Sequence, residues 1–215
     1  MRFLFDFISP YAYLAWPRTK AIARERDLPL EAIPILFAAL LDHHGQLGPA
    51  EIPAKRLHTM KHVTRLAADA GLELRMPPAH PFNPLLPLRI ATAVEASKRH
   101  RVVDALFEAT WAKAVPMWEP EAIARFLDGK GLNGRELVAN GRSSHAKAEL
   151  RSATELALDK DVFGVPTVLV EGELFWGYDS LLHVPALLDG ADPVTPSLST
   201  DLARMPAQAS RRNRR

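Results

Sequence analysis

The sequence predicts an α/β fold in which a block of helices separates two parts of one small sheet. A strand–helix–strand pattern in residues 2–37 predicts two parallel strands joined by a crossover helix. A helix and two short strands in residues 143–177 predict a hairpin, because Glu171-Gly172 is typical of a tight turn. Most of the chain between these two parts has helical periodicity.

The first part contains a strand, a helix and a second strand. Residues 2–8 are predicted to be a strand, and residues 10–26 a helix with Ser9 as its N-cap and a proline in its first turn. Pro17 lies inside this helix and is expected to kink it. Residues 28–37 are predicted to be the second strand, at a sheet edge that tolerates prolines.

The middle of the chain is predicted to be mostly helical. A loop rich in glycine, histidine and proline is expected over residues 39–50, where His43 and His44 either cover a site or lie in a plain surface loop. Residues 76–87 hold five prolines and are expected to be extended or turning. Helices are predicted over residues 52–70, 85–98, 100–113, 119–129 and 133–140.

The last part of the chain, like the first, is predicted to contain both helices and strands. A helix is predicted over residues 143–160, strands over 164–170 and 172–177, and a final helix over 178–189. Together these elements predict a thioredoxin-like fold with a helical insertion. The expected domains are a discontinuous thioredoxin-like domain (1–37 and 143–190), a helical insertion (38–142) and an extended or disordered basic tail (191–215).

The composition excludes several classes of function. The 215 residues include no cysteine, which rules out disulfides, thiolate metal sites and thiol chemistry by the chain itself. No apolar run approaches the roughly 20 residues of a membrane span, and no signal peptide is evident. We therefore expect a cytoplasmic protein with no membrane partner.

The charge balance argues against a nucleic-acid partner. The net charge is +2, and four arginines lie at the end of the chain: Arg211, Arg212, Arg214 and Arg215. Removing these four charges from the net +2 leaves −2 for residues 1–210. We expect the basic end to be solvated and disordered rather than to bind a polyanion.

Two segments predict a functional site at one edge of the sheet. Ser9 starts the first helix, where a thioredoxin-type chain carries a C-x-x-C motif, and Val165-Pro166 stands where that fold places a cis-proline. Because the chain has no cysteine, thiol chemistry here requires the thiol of a ligand. A hydroxyl at a helix N-terminus favours an anion such as a thiolate, although Ser9 also suits a purely structural N-cap.

Four stretches resemble one known family: FDFISPYAYLAW, PAKRLHTMKHVTRLA, HPFNPLLPLR and VFGVPTVLVEGELFWGYDSL. They are similar to the 2-hydroxychromene-2-carboxylate isomerases, bacterial relatives of the kappa-class glutathione transferases, over about residues 1–190. The resemblance implies glutathione as the cofactor and a small aromatic molecule as the substrate. It implies cis–trans isomerisation of 2-hydroxychromene-2-carboxylate, or a related aromatic pyruvate, by reversible addition of the glutathione thiolate. We further expect a homodimer.

The resemblance also implies roles for individual residues. Ser9 corresponds to the catalytic serine, and Val165 to the residue whose backbone holds the cysteinyl part of glutathione. The stretch that receives the γ-glutamyl end of glutathione corresponds to Trp176, Gly177, Tyr178 and Asp179. The expected substrate-binding positions are Gln46, Lys55, His58, His62 and Asn83.

This chain departs from the family pattern at several of these positions. The family commonly has Asn at the place of Gln46, and Tyr and Asp at the places of His58 and His62. It often has Asn where Tyr178 stands and Arg where Ser180 stands. The glutathione site is thus mostly retained, whereas the substrate pocket is expected to differ.

Other interpretations of these residues stay open. A kappa-class-like glutathione transferase or peroxidase would use the same thiolate, and a non-catalytic thioredoxin-fold binding module would keep only the cleft.

His58 and His62 lie one helical turn apart, but no third ligand is evident, so we expect no metal site. Residues 129–134 formally fit a dinucleotide motif but follow a helix rather than a strand. An aromatic wall for the substrate, or packing in the core, would both explain Trp111, Met117 and Trp118.

Overall fold

The computed structural model describes residues 1–209, whose four strands form one mixed sheet. The strands are β1 (Arg2–Phe5), β2 (Glu31–Pro34), β3 (Thr167–Val170) and β4 (Glu173–Trp176). They lie in the order β2-β1-β3-β4, with β1 parallel to β2, and with β3 antiparallel to both β1 and β4. The predicted parallel pair and the predicted hairpin are both confirmed.

The rest of the described chain is mainly helical. Residues 1–181 form one compact unit, and a second unit begins at Leu182. No helix within residues 1–209 is both long enough and apolar enough to cross a membrane. The α-helices are α1 (Pro10–Glu25), α2 (Phe37–His44), α3 (Pro53–Asp69), α4 (Leu85–Ala93), α5 (Ala96–Trp111), α6 (Pro120–Gly129), α7 (Gly134–Gly141), α8 (Ser144–Leu158), α9 (Gly177–Ser180), α10 (Val184–Leu188) and α11 (Pro196–Ala203).

The turn between β3 and β4 depends on two residues with positive φ. The φ angle is 51° at Glu171 and 89° at Gly172. Two consecutive positive φ angles are typical of a type I′ turn, whose twist matches that of antiparallel strands. Glycine reaches such angles without a steric penalty, which is why this dipeptide predicted the hairpin.

The sheet and the helical block share one aromatic core. Phe3, Phe5 and Phe7 alternate along β1 and its extension, and all three are fully buried. The ring centroids of Phe5 and Phe7 lie 5.3 Å and 4.8 Å from that of Phe107 in α5. The helical block therefore packs directly on the strand that leads into α1.

The helix α2 occupies a segment predicted to be the end of a strand and the start of a loop. The loop prediction for residues 39–50 is wrong up to residue 44 because Asp6, distant in sequence, caps this helix. Its Oδ2 accepts the N–H of Phe37 at 3.0 Å. Gly45, with a φ of 59°, ends the helix in the left-handed conformation. His43 and His44 thus lie in the last turn of α2 rather than in a loop.

The break between α4 and α5 lies several residues earlier than predicted. The guanidinium of Arg99 donates hydrogen bonds to the carbonyls of Thr92 (3.4 Å) and Val94 (3.0 Å). A cation that covers the last carbonyls of a helix stabilises the end of the helix there. Hydrophobic periodicity alone contains no signal for this contact.

The C-terminal predictions need two corrections. The final helix predicted over residues 178–189 is instead two short helices, α9 and α10, because Pro185 lacks the N–H that a continuous helix needs. The tail predicted to be extended or disordered over residues 191–215 contains α11, which begins where Thr195 Oγ1 accepts the N–H of Leu198 at 3.2 Å. The four terminal arginines lie outside the described residues.

Candidate functional site

Ser9 and the cis-proline segment meet, as the sequence predicts. The Val165-Pro166 peptide bond is cis. Ser9 is 8% exposed, and its Oγ accepts the N–H of Ala12 at 3.2 Å and donates to the carbonyl of Val165 at 3.5 Å. Ser9 is therefore the N-cap of α1 and also faces the cis-proline segment across the sheet edge. Its catalytic role stays a prediction.

The segment after β4 is joined to the cis-proline by its backbone. The N–H of Gly177 donates to the carbonyl of Pro166 at 2.9 Å. The φ of Gly177 is 90°, and a Cβ at this position would come within 2.7 Å of Asp179 Oδ1. Glycine is thus required here for two reasons, its backbone conformation and the close approach of a carboxylate. This contact brings Gly177 and Asp179 beside Val165-Pro166.

The two aromatic residues of this stretch have different surroundings. Trp176 is 52% exposed, and its ring meets that of Phe163 edge-on at 5.1 Å. Tyr178 packs against the apolar cluster between α1 and α3, and the Arg18 guanidinium lies 5.8 Å from its ring centroid. Tyr178 is thus held by packing, whereas Trp176 remains open to a ligand.

Three side chains hold the two residues that precede Ser9, and no sequence pattern predicted this role for any of them. Trp111 Nε1 donates to the carbonyl of Phe7 at 2.8 Å, and Asp6 Oδ1 accepts the N–H of Ile8 at 3.0 Å. His80 Nε2 lies 3.0 Å from the carbonyl of Ile8, and because a carbonyl only accepts, Nε2 carries the proton. We call Asp6, His80 and Trp111 the loop clamp.

Two members of the loop clamp have shifted pKa values. Asp6 is fully buried, and this burial raises the pKa of its carboxyl group to about 7, although the N–H groups of Ile8 and Phe37 lower it. Burial lowers the pKa of His80, and the charge of Arg56 acts in the same direction, whereas the bond to Ile8 opposes it. His80 is therefore neutral near pH 7, with its buried Nδ1 unpaired within the described residues.

The predicted substrate residues on α3 lie near Tyr11, which follows Ser9 by two positions. The Tyr11 hydroxyl lies 2.9 Å from His62 Nδ1, and the His58 and His62 rings stack at 5.9 Å. Burial raises the pKa of Tyr11, and the charge of Asp179 contributes to the same shift. Lys55 and His58 are exposed. Within residues 1–209, no group of three or more His, Asp or Glu residues could hold a metal ion.

The structure gives no ligand-binding role to the other residues that the sequence marked as candidates. Asn83 Oδ1 accepts the N–H of Leu85 at 3.0 Å and so supports the start of α4. Gln46 is exposed just after α2. Trp111 and Met117 are buried, so packing in the core is the correct alternative for both, while Trp118 is 40% exposed. Ligand contacts of Asn83 and Gln46 stay predictions.

The chain is similar in sequence to known proteins. Residues 1–188 match the profile of the DSBA-like thioredoxin domain family. A 2-hydroxychromene-2-carboxylate isomerase from Sphingobium xenophagum is 28% identical over 185 residues, which cover 83% of this chain and 92% of that protein. Glutathione S-transferase kappa 2 from Caenorhabditis elegans is 27% identical over 179 residues, which cover 77% of this chain and 78% of that protein.

The same fold is found in a solved structure. A 2-hydroxychromene-2-carboxylate isomerase superposes with a TM-score of 0.80 at 22% identity, over 94% of this chain and 98% of that chain. The predicted thioredoxin-like fold with a helical insertion is therefore confirmed, and so is the resemblance that the four sequence stretches indicated.

Proposed function

The chain belongs to the DSBA-like thioredoxin domain family, and we propose that it is a glutathione-dependent isomerase of 2-hydroxychromene-2-carboxylate or a related aromatic pyruvate. One observation carries this proposal. A chain without cysteine places the hydroxyl of Ser9, at the N-terminus of α1, 3.5 Å from the backbone carbonyl of Val165. Such a site suits a thiolate that a ligand brings.

The proposed role of Ser9 is to stabilise the glutathione thiolate. A free thiol has a pKa of about 8.5, so only a few per cent is ionised at pH 7. Lowering this pKa by about two units requires roughly 2.7 kcal/mol. A hydroxyl hydrogen bond to the charged sulfur and the positive end of the 16-residue helix α1 together supply an effect of this size.

Glutathione itself would be held on the cis-proline side. The backbone of Val165 faces Ser9 and is the proposed partner of the cysteinyl part of glutathione, in the manner of an added strand. Asp179 lies in the first turn of α9 beside Gly177 and is the proposed partner of the γ-glutamyl ammonium group. The relative named glutathione S-transferase kappa 2 supports glutathione as the ligand.

The proposed reaction leaves glutathione unchanged. The cyclic substrate 2-hydroxychromene-2-carboxylate first opens: the bond from C2 to the ring oxygen breaks, the C2 hydroxyl becomes the pyruvate carbonyl, and its proton passes to the phenol oxygen. The thiolate then forms a bond to the ring-side carbon of the double bond, and the electron pair of that double bond moves into the pyruvate carbonyl. Rotation about the resulting single bond follows. The electron pair then returns, the carbon–sulfur bond breaks, and the thiolate leaves with the isomerised product. The relative named 2-hydroxychromene-2-carboxylate isomerase supports this reaction class.

A glutathione transferase is the second candidate, because a kappa-class relative is almost as similar as the isomerase. The two reactions differ in what happens to glutathione. The test is conversion of 2-hydroxychromene-2-carboxylate at substoichiometric glutathione, with the remaining thiol measured at each time point. Full conversion with the thiol conserved supports the isomerase, and a thioether formed one for one with lost thiol supports the transferase. Glutathione binding with neither reaction indicates a binding module. A cytoplasmic location and a homodimer stay predictions.

A further inference from the structure

A cleft opens between the first two turns of α3 and the proline-rich segment that precedes α4. Its volume is about 470 Å³, which lies within the range of roughly 300–1,000 Å³ that small-molecule sites occupy. We call it the α3 cleft. Its wall includes Arg56, Leu57, Met60, Met76, Pro77 and His80.

The α3 cleft lies beside the segment that carries Ser9. His80 forms part of its wall, and the same ring donates its Nε2 proton to the carbonyl of Ile8 at 3.0 Å. Ile8 immediately precedes Ser9 in the chain. One side chain therefore joins the cleft to the position where the proposed thiolate would be held.

The wall of the cleft suits an apolar ring. Leu57 is 58% exposed and Met76 is 38% exposed, which leaves large apolar surfaces open to a ligand. Met60 and Met76 are flexible, polarisable side chains that adapt their shape to an aromatic ring. A flat apolar ligand would cover surface that is otherwise in contact with water.

The charge of the cleft suits a single anionic group. Arg56 is its one permanent cation, and no carboxylate within residues 1–209 forms an ion pair with Arg56. His80 adds no charge near pH 7, because burial lowers the pKa of its imidazole and keeps it neutral. The planar guanidinium of arginine can bind both oxygens of a carboxylate. The first turn of α3, where Arg56 lies, also has the positive end of the helix dipole.

We propose that the α3 cleft binds the electrophilic substrate and that Arg56 binds its carboxylate. This inference rests on the proposed function, in which the thiolate lies beside Ser9. It assigns the substrate carboxylate to Arg56 rather than to Lys55, His58 or His62, which are among the expected substrate-binding positions. Those residues do not line the cleft, and His62 is already paired with the Tyr11 hydroxyl.

The experiment compares two probes of the same shape and different charge. Binding of naphthalene-2-carboxylate and of neutral naphthalene-2-carboxamide is measured by calorimetry on the full chain. The variants are Arg56→Gln, the rival Lys55→Gln, and the control Lys61→Gln, which removes an exposed positive charge elsewhere on α3. Met60→Trp, which fills the cleft, is the test of location, and circular dichroism checks that each variant is folded.

We expect the carboxylate to bind the wild type about tenfold more tightly than the carboxamide, as a charge-assisted pair implies. Arg56→Gln should abolish this difference and Lys61→Gln should preserve it, while Met60→Trp should weaken both probes about tenfold. The inference is wrong if neither probe binds the wild type, if Arg56→Gln keeps the preference, or if Lys55→Gln removes it instead.

A second measurement separates this inference from the proposed function. In the isomerisation assay, Arg56→Gln should raise KM about tenfold and leave kcat within about twofold, with glutathione affinity unchanged. A loss of glutathione affinity in Arg56→Gln would assign Arg56 to the glutathione site and contradict the inference. If the wild type binds no glutathione, the proposed function fails, yet the probe results still decide whether the cleft binds ring-bearing anions.

Discussion

The two sides of the candidate site are held in different ways. On the cis-proline side the decisive contact is between backbone groups, from the N–H of Gly177 to the carbonyl of Pro166. On the serine side, side chains hold the backbone of Phe7-Ile8, and two of them, His80 and Trp111, belong to the helical block. The helical block therefore helps to position Ser9, whereas the edge proposed to pair with glutathione depends on the sheet.

Because the two sides are held by different groups, each can be changed without the other. Changes to the loop clamp should alter stability and the ionisation of bound glutathione more than its affinity. Changes near the cis-proline should alter the affinity for glutathione and leave the pKa of the bound thiol unchanged. Four substitutions test this division, beginning with the one expected to change stability most.

Asp6→Asn should change how stability depends on pH. The folded-state pKa of Asp6, about 7, lies above the ordinary value of 3.8, so the wild type gains stability from a protonated Asp6 below pH 4. It loses this stability as pH rises from about 4 to 7, by up to about 4 kcal/mol. The amide introduced by the substitution does not titrate, so the free energy of unfolding of the wild type relative to the variant should fall over this range. Denaturant unfolding from pH 4 to 8 measures it, and a constant difference would show that Asp6 titrates normally.

Trp111→Phe should destabilise the serine side while keeping an aromatic ring in the core. The buried carbonyl of Phe7 loses its hydrogen bond, which costs about 1–3 kcal/mol. Ser9 should move, so the ultraviolet absorbance of the glutathione thiolate at pH 7 should decrease, with little loss of affinity. Trp118→Phe, a change at a 40% exposed position, is the matched control. Equal thiolate absorbance in both variants would argue against the loop clamp.

Gly177→Ala should affect the other side. The new Cβ would lie 2.7 Å from Asp179 Oδ1, on a backbone with a φ of 90°, so we expect a cost of about 1–3 kcal/mol. Calorimetry should show weaker glutathione binding, while the pKa of the thiol that still binds stays at the wild-type value. Gly129→Ala is the control, because a Cβ there meets no atom within 4 Å. A changed thiol pKa in Gly177→Ala would show that the two sides are not separable.

Ser9→Ala should have the smallest effect on stability and a specific effect on the ligand. Loss of the N-cap bond to Ala12 should lower the free energy of unfolding by about 1 kcal/mol. Glutathione should still bind, but its thiolate absorbance at pH 7 should decrease because the hydroxyl no longer stabilises the sulfur. Ser9→Thr, which keeps a hydroxyl, should recover part of the signal. Undiminished absorbance in Ser9→Ala would reduce Ser9 to a helix cap.

Much of the fold followed from local sequence patterns, and the predictions that were wrong have identifiable physical causes. The parallel strands, the hairpin at Glu171-Gly172 and the cap at Ser9 were all predictable, because turn and cap chemistry depends on neighbouring residues. A charged residue in the apolar run of residues 3–8, Asp6, was the one visible sign of the loop clamp. Its bond to Phe37, which caps α2, spans 31 positions and has no local signature.

The amino-acid sequence alone was enough to identify which residues could carry the chemistry. It placed Ser9 at a helix N-terminus, Val165-Pro166 at the opposite edge, and no cysteine anywhere, since helix capping, cis-proline preference and composition are properties of short segments. How those residues are held, and what lies beside them, depends on long-range contacts in the folded chain. The bonds from His80 to Ile8 and from Trp111 to Phe7 span 72 and 104 positions. A long-range contact was also decisive for α3. Hydrophobic periodicity predicted the helix, but packing against residues 76–80 determined that Arg56, and not Lys55, faces the cleft.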